Sequence, residues 1–190
     1  MTRDTKPILT ERLLLIPMTP AFLAASLAGD TATAERLAGL TIPPDWFQEQ
    51  ALIQIRLKQL QQNPSLQPWL LRAIALRQGN VMVGHIGFHS QPDPDYLQKI
   101  APGAVEFGYT VYPSYRRQRY AKEACESLMH WAQKEHQVAR FVLTISPDNS
   151  PSIRLAHYLG FQRIGSHIDE TDGVEDIYEL HRPDVVTAAL

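Results

Sequence analysis

The sequence lacks most of the features that settle a function at sight. A single cysteine in 190 residues excludes an intramolecular disulfide and makes a reducing, cytoplasmic setting the simplest expectation. No apolar run reaches the ~18 residues of a membrane helix, and residues 1–7 are polar and charged, unlike a signal peptide. Eighteen Lys and Arg against twenty Asp and Glu leave a net charge of -2. That balance gives no global field for a polyanion and disfavours nucleic acid as a partner. There is no internal repeat, no linker, no Ser nucleophile elbow and no dinucleotide glycine fingerprint. His85 and His89 share one strand face about 13 Å apart, too far for one metal, and no zinc or iron spacing occurs elsewhere. The expectation is one domain, outside the membrane, able to bury roughly 70% of its unfolded surface.

Periodicity supplies the architecture. Residues 13–16, closed by Pro17, read as a strand, and Thr19-Pro20 as the cap and first residue of a helix carrying Phe22, Leu23, Ser26 and Leu27. Residues 45–61 read as a longer helix. From Trp69 the period becomes two, and 69–76 with 81–88 form a β-hairpin about Gly79-Asn80. Residues 104–112 give another strand. Ala121, Ala124, Cys125, Leu128, Met129 and Ala132 form a helical stripe, with Cys125 as packing. Residues 141–145 are a buried strand, Asn149 or Ser150 caps a helix through Leu159, and Gly160 ends it in left-handed form. Residues 161–167 and 174–180 close the chain as two strands around Asp172-Gly173. This order predicts an α/β fold: a mixed, mostly antiparallel twisted sheet of about seven strands with helices on both faces.

One segment concentrates the charge that the whole chain lacks. Arg116, Arg117, Arg119 and Lys122 fall within seven residues where a strand passes into a helix. Cations at a helix start oppose the dipole, at ~0.3–1 kcal/mol each, whereas the N–H groups there suit a phosphate or pyrophosphate. The cluster either holds such an anion or decorates a solvated helix start.

Arg116-Arg117-Gln118-Arg119-Tyr120-Ala121 resembles the acyl-coenzyme A pyrophosphate loop of the GNAT acetyltransferase superfamily: Arg or Gln, two residues, Gly, one residue, Gly or Ala. Arg116, Gln118, Tyr120 and Ala121 match, and Arg119 stands at the Gly. Glycine reaches positive φ freely; Arg117 and Arg119 are expected to keep ordinary helical dihedrals, still offering N–H groups, with an Arg side chain adding a charge-assisted phosphate contact. Asn149-Ser150-Pro151-Ser152-Ile153-Arg154-Leu155, ending in Leu159-Gly160-Phe161, resembles the superfamily's later coenzyme-binding helix. Glu106-Phe107-Gly108-Tyr109 points to the branch similar to ribosomal-protein N-terminal alanine and serine acetyltransferases. The resemblance spans residues 9–183 as one domain, with 1–8 and 184–190 as flexible termini.

The resemblance implies direct transfer from acetyl-CoA, without a metal or acyl-enzyme, to a primary amine on a protein N-terminus or a small molecule. Glu106 is the implied base; its other reading is a strand-face carboxylate in a surface ion pair. Backbone N–H groups near Val111 and Tyr112 would hold the acetyl carbonyl. Asn149 would meet the pantetheine arm or simply cap its helix, and Ser152 would donate to the leaving thiolate or be an ordinary first-turn serine. The Tyr that many members carry falls on Ala156, and Tyr158 lies roughly 200° further round the helix. Two further readings stay open: a non-catalytic acyl-CoA sensor or interaction module, and RNA on the basic loop. A homodimer through hairpin edges or residues 185–190 is also compatible with the sequence.

Overall fold

The computed structural model describes residues 6–169 and 173–182, which gather into two compact units. The anticipated tail 184–190, residues 1–5, Pro183 and Asp172 of the closing turn lie outside the described residues.

The first unit runs to Phe88 and includes Tyr109–Leu128. Here β1 (Ile8–Leu9), β2 (Leu13–Pro17), β3 (Arg72–Leu76) and β4 (Met82–Phe88) are successive antiparallel neighbours. β2 alternates, with Leu13 and Leu15 fully buried, as a strand with one core face must. β4 is buried at every position, so its apolar run reflects cover on both faces. β1 raises the strand count to eight; two residues are too few to show a period. α1 (Pro20–Leu27) begins as its sequence predicts, with Thr19 Oγ1 accepting the Phe22 N–H at 3.2 Å. α2 (Thr31–Ala38), capped by Asp30, was not anticipated, because it buries only Ala34. The anticipated helix 45–61 is divided into a 3-10 turn, Pro44–Gln48, and α3 (Gln50–Gln62). The buried Trp46 indole, whose Nε1 donates to Ser26 Oγ at 2.8 Å, ties that turn to α1. Phe22, Leu23, Trp46, Ile53, Leu71 and Met82 build the core. A Cβ on Gly84 would lie 2.0 Å from Thr110 O, so only glycine permits this approach.

The second unit comprises His89–Gly108 and the described residues from Met129 onward. β5 (Ala104–Val111) starts here and ends in the first unit; α4 (Tyr120–His136) runs the other way. β5 is parallel to β6 (Arg140–Ile145), β6 antiparallel to β8 (Gly173–His181), and β8 antiparallel to β7 (Gln162–Asp169). A parallel pair needs a long crossover, and α4 lies between β5 and β6 in the chain. α5 (Ser150–Leu159) ends at Gly160 with φ 92°, the left-handed stop its sequence predicts. Leu97, Ala101, Ala104, Val142 and Ile177 pack together, and Phe107 meets Phe161 edge to face at 6.2 Å. The fold is α/β and mostly antiparallel, as expected. Among the described residues no helix is long and apolar enough to cross a membrane.

Candidate functional site

In the first unit, Arg116, Arg117, Gln118 and Arg119 are exposed on the turn into α4. Arg117 and Arg119 are not helical: their φ angles are 63° and 65°. The left-handed form costs a non-glycine residue roughly 1–2 kcal/mol, and it persists only where the surroundings over-determine it. Here Arg12 supplies them. Its Nη1 donates to Gln118 O at 3.1 Å, its Nε to Glu123 Oε2 at 2.8 Å, and its guanidinium lies 4.8 Å over the Tyr120 ring. The Arg12 N–H and Thr10 Oγ1 both donate to Glu123 Oε1, at 2.8 and 2.5 Å. Burial alone would raise the Glu123 pKa, but Thr10 and Arg12 hold it below the ordinary value. Arg116 Nε donates to Val111 O at 2.9 Å, and Lys122 pairs with Glu126 at 3.3 Å.

Arg119 is also the cap residue of α4, because its carbonyl accepts the Glu123 N–H at 3.1 Å. An arginine side chain has no acceptor, so it cannot close the helix start as Asn, Asp, Ser or Thr would. α1, α2 and α5 are closed by Thr19, Asp30 and Asn149. The N-terminus of α4, beside three arginines, fits an anionic phosphate group.

β5 places Glu106 in the second unit, 6% exposed, which corrects the reading of a surface ion pair. Its Oε1 accepts from Thr144 Oγ1 at 2.6 Å, its Oε2 lies 3.5 Å from His89 Nδ1, and Tyr96 also hydrogen-bonds to it. Burial pushes the carboxyl pKa up; His89, then Thr144 and Tyr96, more than reverse that, so the group is ionised at neutral pH. Asn149 caps α5, with Oδ1 accepting the Ser152 N–H at 3.3 Å. Ser152 is half-buried on the first turn. Ala156 is buried and Tyr158 is 70% exposed, so Tyr158 does not take over the Ala156 position.

One expected donor is spent: the Tyr112 N–H bonds to Val83 O at 2.9 Å, because the ladder continues to that residue. Cys125 is fully buried, its thiol pKa pushed up by burial, as packing requires. The residues that sequence reasoning missed are Thr10, Arg12 and Glu123 around α4, and His89, Tyr96 and Thr144 around Glu106. Arg12 and Glu123 are 111 positions apart, and no local pattern links them. Only the acid in the first turn of α4 was a signal, and it was indistinct among the cations.

Residues 12–162 match the family model of the acetyltransferase (GNAT) domain. An uncharacterised N-acetyltransferase of Bacillus subtilis strain 168, YnaD, is 28% identical over 92 residues, 48% of this chain and 49% of that protein. The chain spans about half the length of the curated relatives it matches. The ribosomal-protein-S5-alanine acetyltransferase of Vibrio fischeri superposes with a TM-score of 0.65 at 14% identity, over 94% of this chain and 97% of that one. RimL, a ribosomal L7/L12 α-N-protein acetyltransferase solved with coenzyme A, gives 0.63 at 19% identity, over 93% and 98%. Such identities establish a shared fold. Because the family model matches well over half the sequence and includes the loop at α4, the chain belongs to the GNAT acetyltransferase family.

Proposed function

We propose that the protein is an N-acetyltransferase that moves an acetyl group from acetyl-CoA to a primary amine, on a protein N-terminus or a small molecule. The observation that carries this reading is the start of α4, where two left-handed arginines stand at a helix N-terminus inside the segment that resembles the family's pyrophosphate motif. Arg116, Arg117, Gln118, Arg119, Tyr120 and Ala121 are the residues for the pyrophosphate, and Asn149 for the pantetheine arm. With the Tyr112 amide engaged, Val111 is left to hold the acetyl carbonyl.

Glu106 accepts the proton of the attacking amine, directly or through water, as the C–N bond forms and the C–S bond breaks. Its ionised state at neutral pH supports that role. Ser152 donates a hydrogen bond to the departing sulfur. The ribosomal-protein acetylation described for RimL and the Vibrio fischeri enzyme supports a protein N-terminus as one acceptor class. Calorimetric titration with acetyl-CoA, followed by thiol release with a panel of amines, tests the proposal. Expected are saturable binding, turnover, and a loss of roughly 10²–10⁴ in rate for Glu106→Gln. No binding at millimolar acetyl-CoA would overturn it, and binding without thiol release would favour the non-catalytic sensor.

A further inference from the structure

Acetylation of an amine at neutral pH removes two protons from nitrogen, and Glu106 accounts for one of them. Aliphatic and α-amines are mostly ammonium ions there, with ordinary pKa values of about 8 to 10, and an ammonium has no lone pair with which to attack. Glu106 is a poor base for that first proton. An ordinary Glu carboxyl titrates near ~4.3, and Thr144, His89 and Tyr96 all hydrogen-bond to this one. The second proton is different: nitrogen becomes far more acidic once it is bonded to the acyl carbon, so a carboxylate suffices. The first calls for a stronger base beside the same carboxylate.

His89 meets that description. It opens the loop between β4 and β5 and belongs to the second unit, with Tyr96, Glu106 and Thr144. Its Nδ1 faces Glu106 Oε2 at 3.5 Å. Its backbone N–H donates to Glu106 O at 2.9 Å, so main chain and side chain both fix the ring against this residue. An ionised carboxylate only accepts, so the neutral imidazole carries its proton on Nδ1 and its lone pair on Nε2. A Cβ at position 108 would lie 3.1 Å from Nε2, so Gly108 gives the ring its seat. The His89 side chain is 34% exposed and that of Glu106 8%, so the imidazole reaches solvent where the carboxylate does not. The titratable groups of the cluster are Glu106 on β5 and Tyr96 in the loop; β6 contributes Thr144, which is neutral. We infer that His89 Nε2 takes the first proton, turning the acceptor ammonium into a nucleophilic amine, while Glu106 stabilises the imidazolium through Nδ1–H. His89 passes that proton to solvent. The amine nitrogen then bonds to the acetyl carbon, the C–S electron pair leaves with sulfur, and Glu106 takes the second proton. Of the two protons, one ends in solvent and one on the thiol. This role rests on the acetyltransferase reading.

Two measurements on the full chain test it. NMR of the ring nitrogens in mildly alkaline buffer should show His89 as the Nδ1–H tautomer; an Nε2–H ring would overturn the role whatever the turnover. Thiol release from acetyl-CoA is then followed with n-butylamine, trialanine and trifluoroethylamine. The wild type is compared with His89→Asn, whose amide N–H still donates to Glu106 but which cannot take up a proton. At neutral pH the variant should lose roughly 10²–10⁴ in rate with n-butylamine or trialanine. That deficit should shrink as pH rises and free amine forms in solution. Trifluoroethylamine, which its trifluoromethyl group keeps unprotonated at neutral pH, should react nearly as fast with the variant as with the wild type. Equal losses with all three amines, or a deficit independent of pH, would reduce His89 to a structural part of the loop, and unchanged rates would give it no part at all. Each of these results overturns the role and leaves the acetyltransferase reading standing. No thiol release from the wild type removes that reading, and the proton role with it.

Discussion

The helices α4 and α5 both begin in a coenzyme-like sequence block, yet they are started in opposite ways. α5 opens on Asn149, whose side chain accepts the Ser152 N–H, and continues with Pro151 inside its first turn. It is a self-sufficient start, made by neighbours in sequence. α4 opens on Arg119, which is left-handed and offers no acceptor, and its shape is imposed by Arg12 from far along the chain. The difference teaches that a helix start can be made by neighbours in sequence or held from far along the chain. A left-handed start demands such an external clamp wherever glycine is absent.

Removing the clamp should produce the largest effect. Arg12→Ala is expected to weaken acetyl-CoA binding about thirtyfold by calorimetry, the scale of lost hydrogen bonds to a charged group. In an Arg119→Gly background the same substitution should cost far less affinity, because glycine holds positive φ unaided. An equal loss in both backgrounds would mean that Arg12 does not act through the loop conformation.

Asn149→Ala should instead act on stability, by ~1 kcal/mol for a lost cap, lowering Tm by roughly 2–4 °C. Asn149→Asp should restore it. A thermal scan with no change for Asn149→Ala would show that α5 does not depend on its cap. Arg119→Gly alone should raise stability by roughly 0.5–1 kcal/mol, since relief of the left-handed strain exceeds the added chain entropy. A destabilised variant in chemical denaturation would show that the arginine is unstrained.

Acidification should separate the two starts most finely. The Glu123 pKa is lowered in the folded chain from its ordinary value of 4.5. Its contribution is therefore fully present above that value and is lost as pH falls through the folded pKa. The Asn149 cap is an amide and does not titrate. Protection of the Glu123 amide, which bonds to Arg119 O, should thus be lost before that of the Ile153 amide, which bonds to Asn149 O, as pH falls below 4.5. Simultaneous loosening would contradict a carboxylate-held start.

Much of the architecture was legible because its signals are local. Thr19-Pro20 and Leu159-Gly160 mark a helix start and a helix stop through the dihedrals that each residue allows. α2 was missed because a helix burying one alanine shows no apolar stripe. The 3-10 turn at Pro44–Gln48 was absorbed into α3 because the Trp46 indole, which sets it apart, bonds to Ser26, twenty positions away. In the candidate site, the basic loop and Glu106 stood out by type and spacing. Their dihedrals, burial and partners did not.

By itself the sequence determined the family, the order of elements, the position of the phosphate loop and the residue types available for chemistry. These depend on periodicity, turn residues and motifs a few positions long. Only the tertiary structure decided that Arg117 and Arg119 are left-handed, that Glu106 is buried against His89 and Thr144, that the Tyr112 amide is already engaged, and that the Tyr112 hydroxyl is buried without a hydrogen-bond partner among the described residues. The physical reason is common to all four. Strain, desolvation and hydrogen-bond satisfaction are set by groups from distant parts of the chain, and they come into being only when those parts meet.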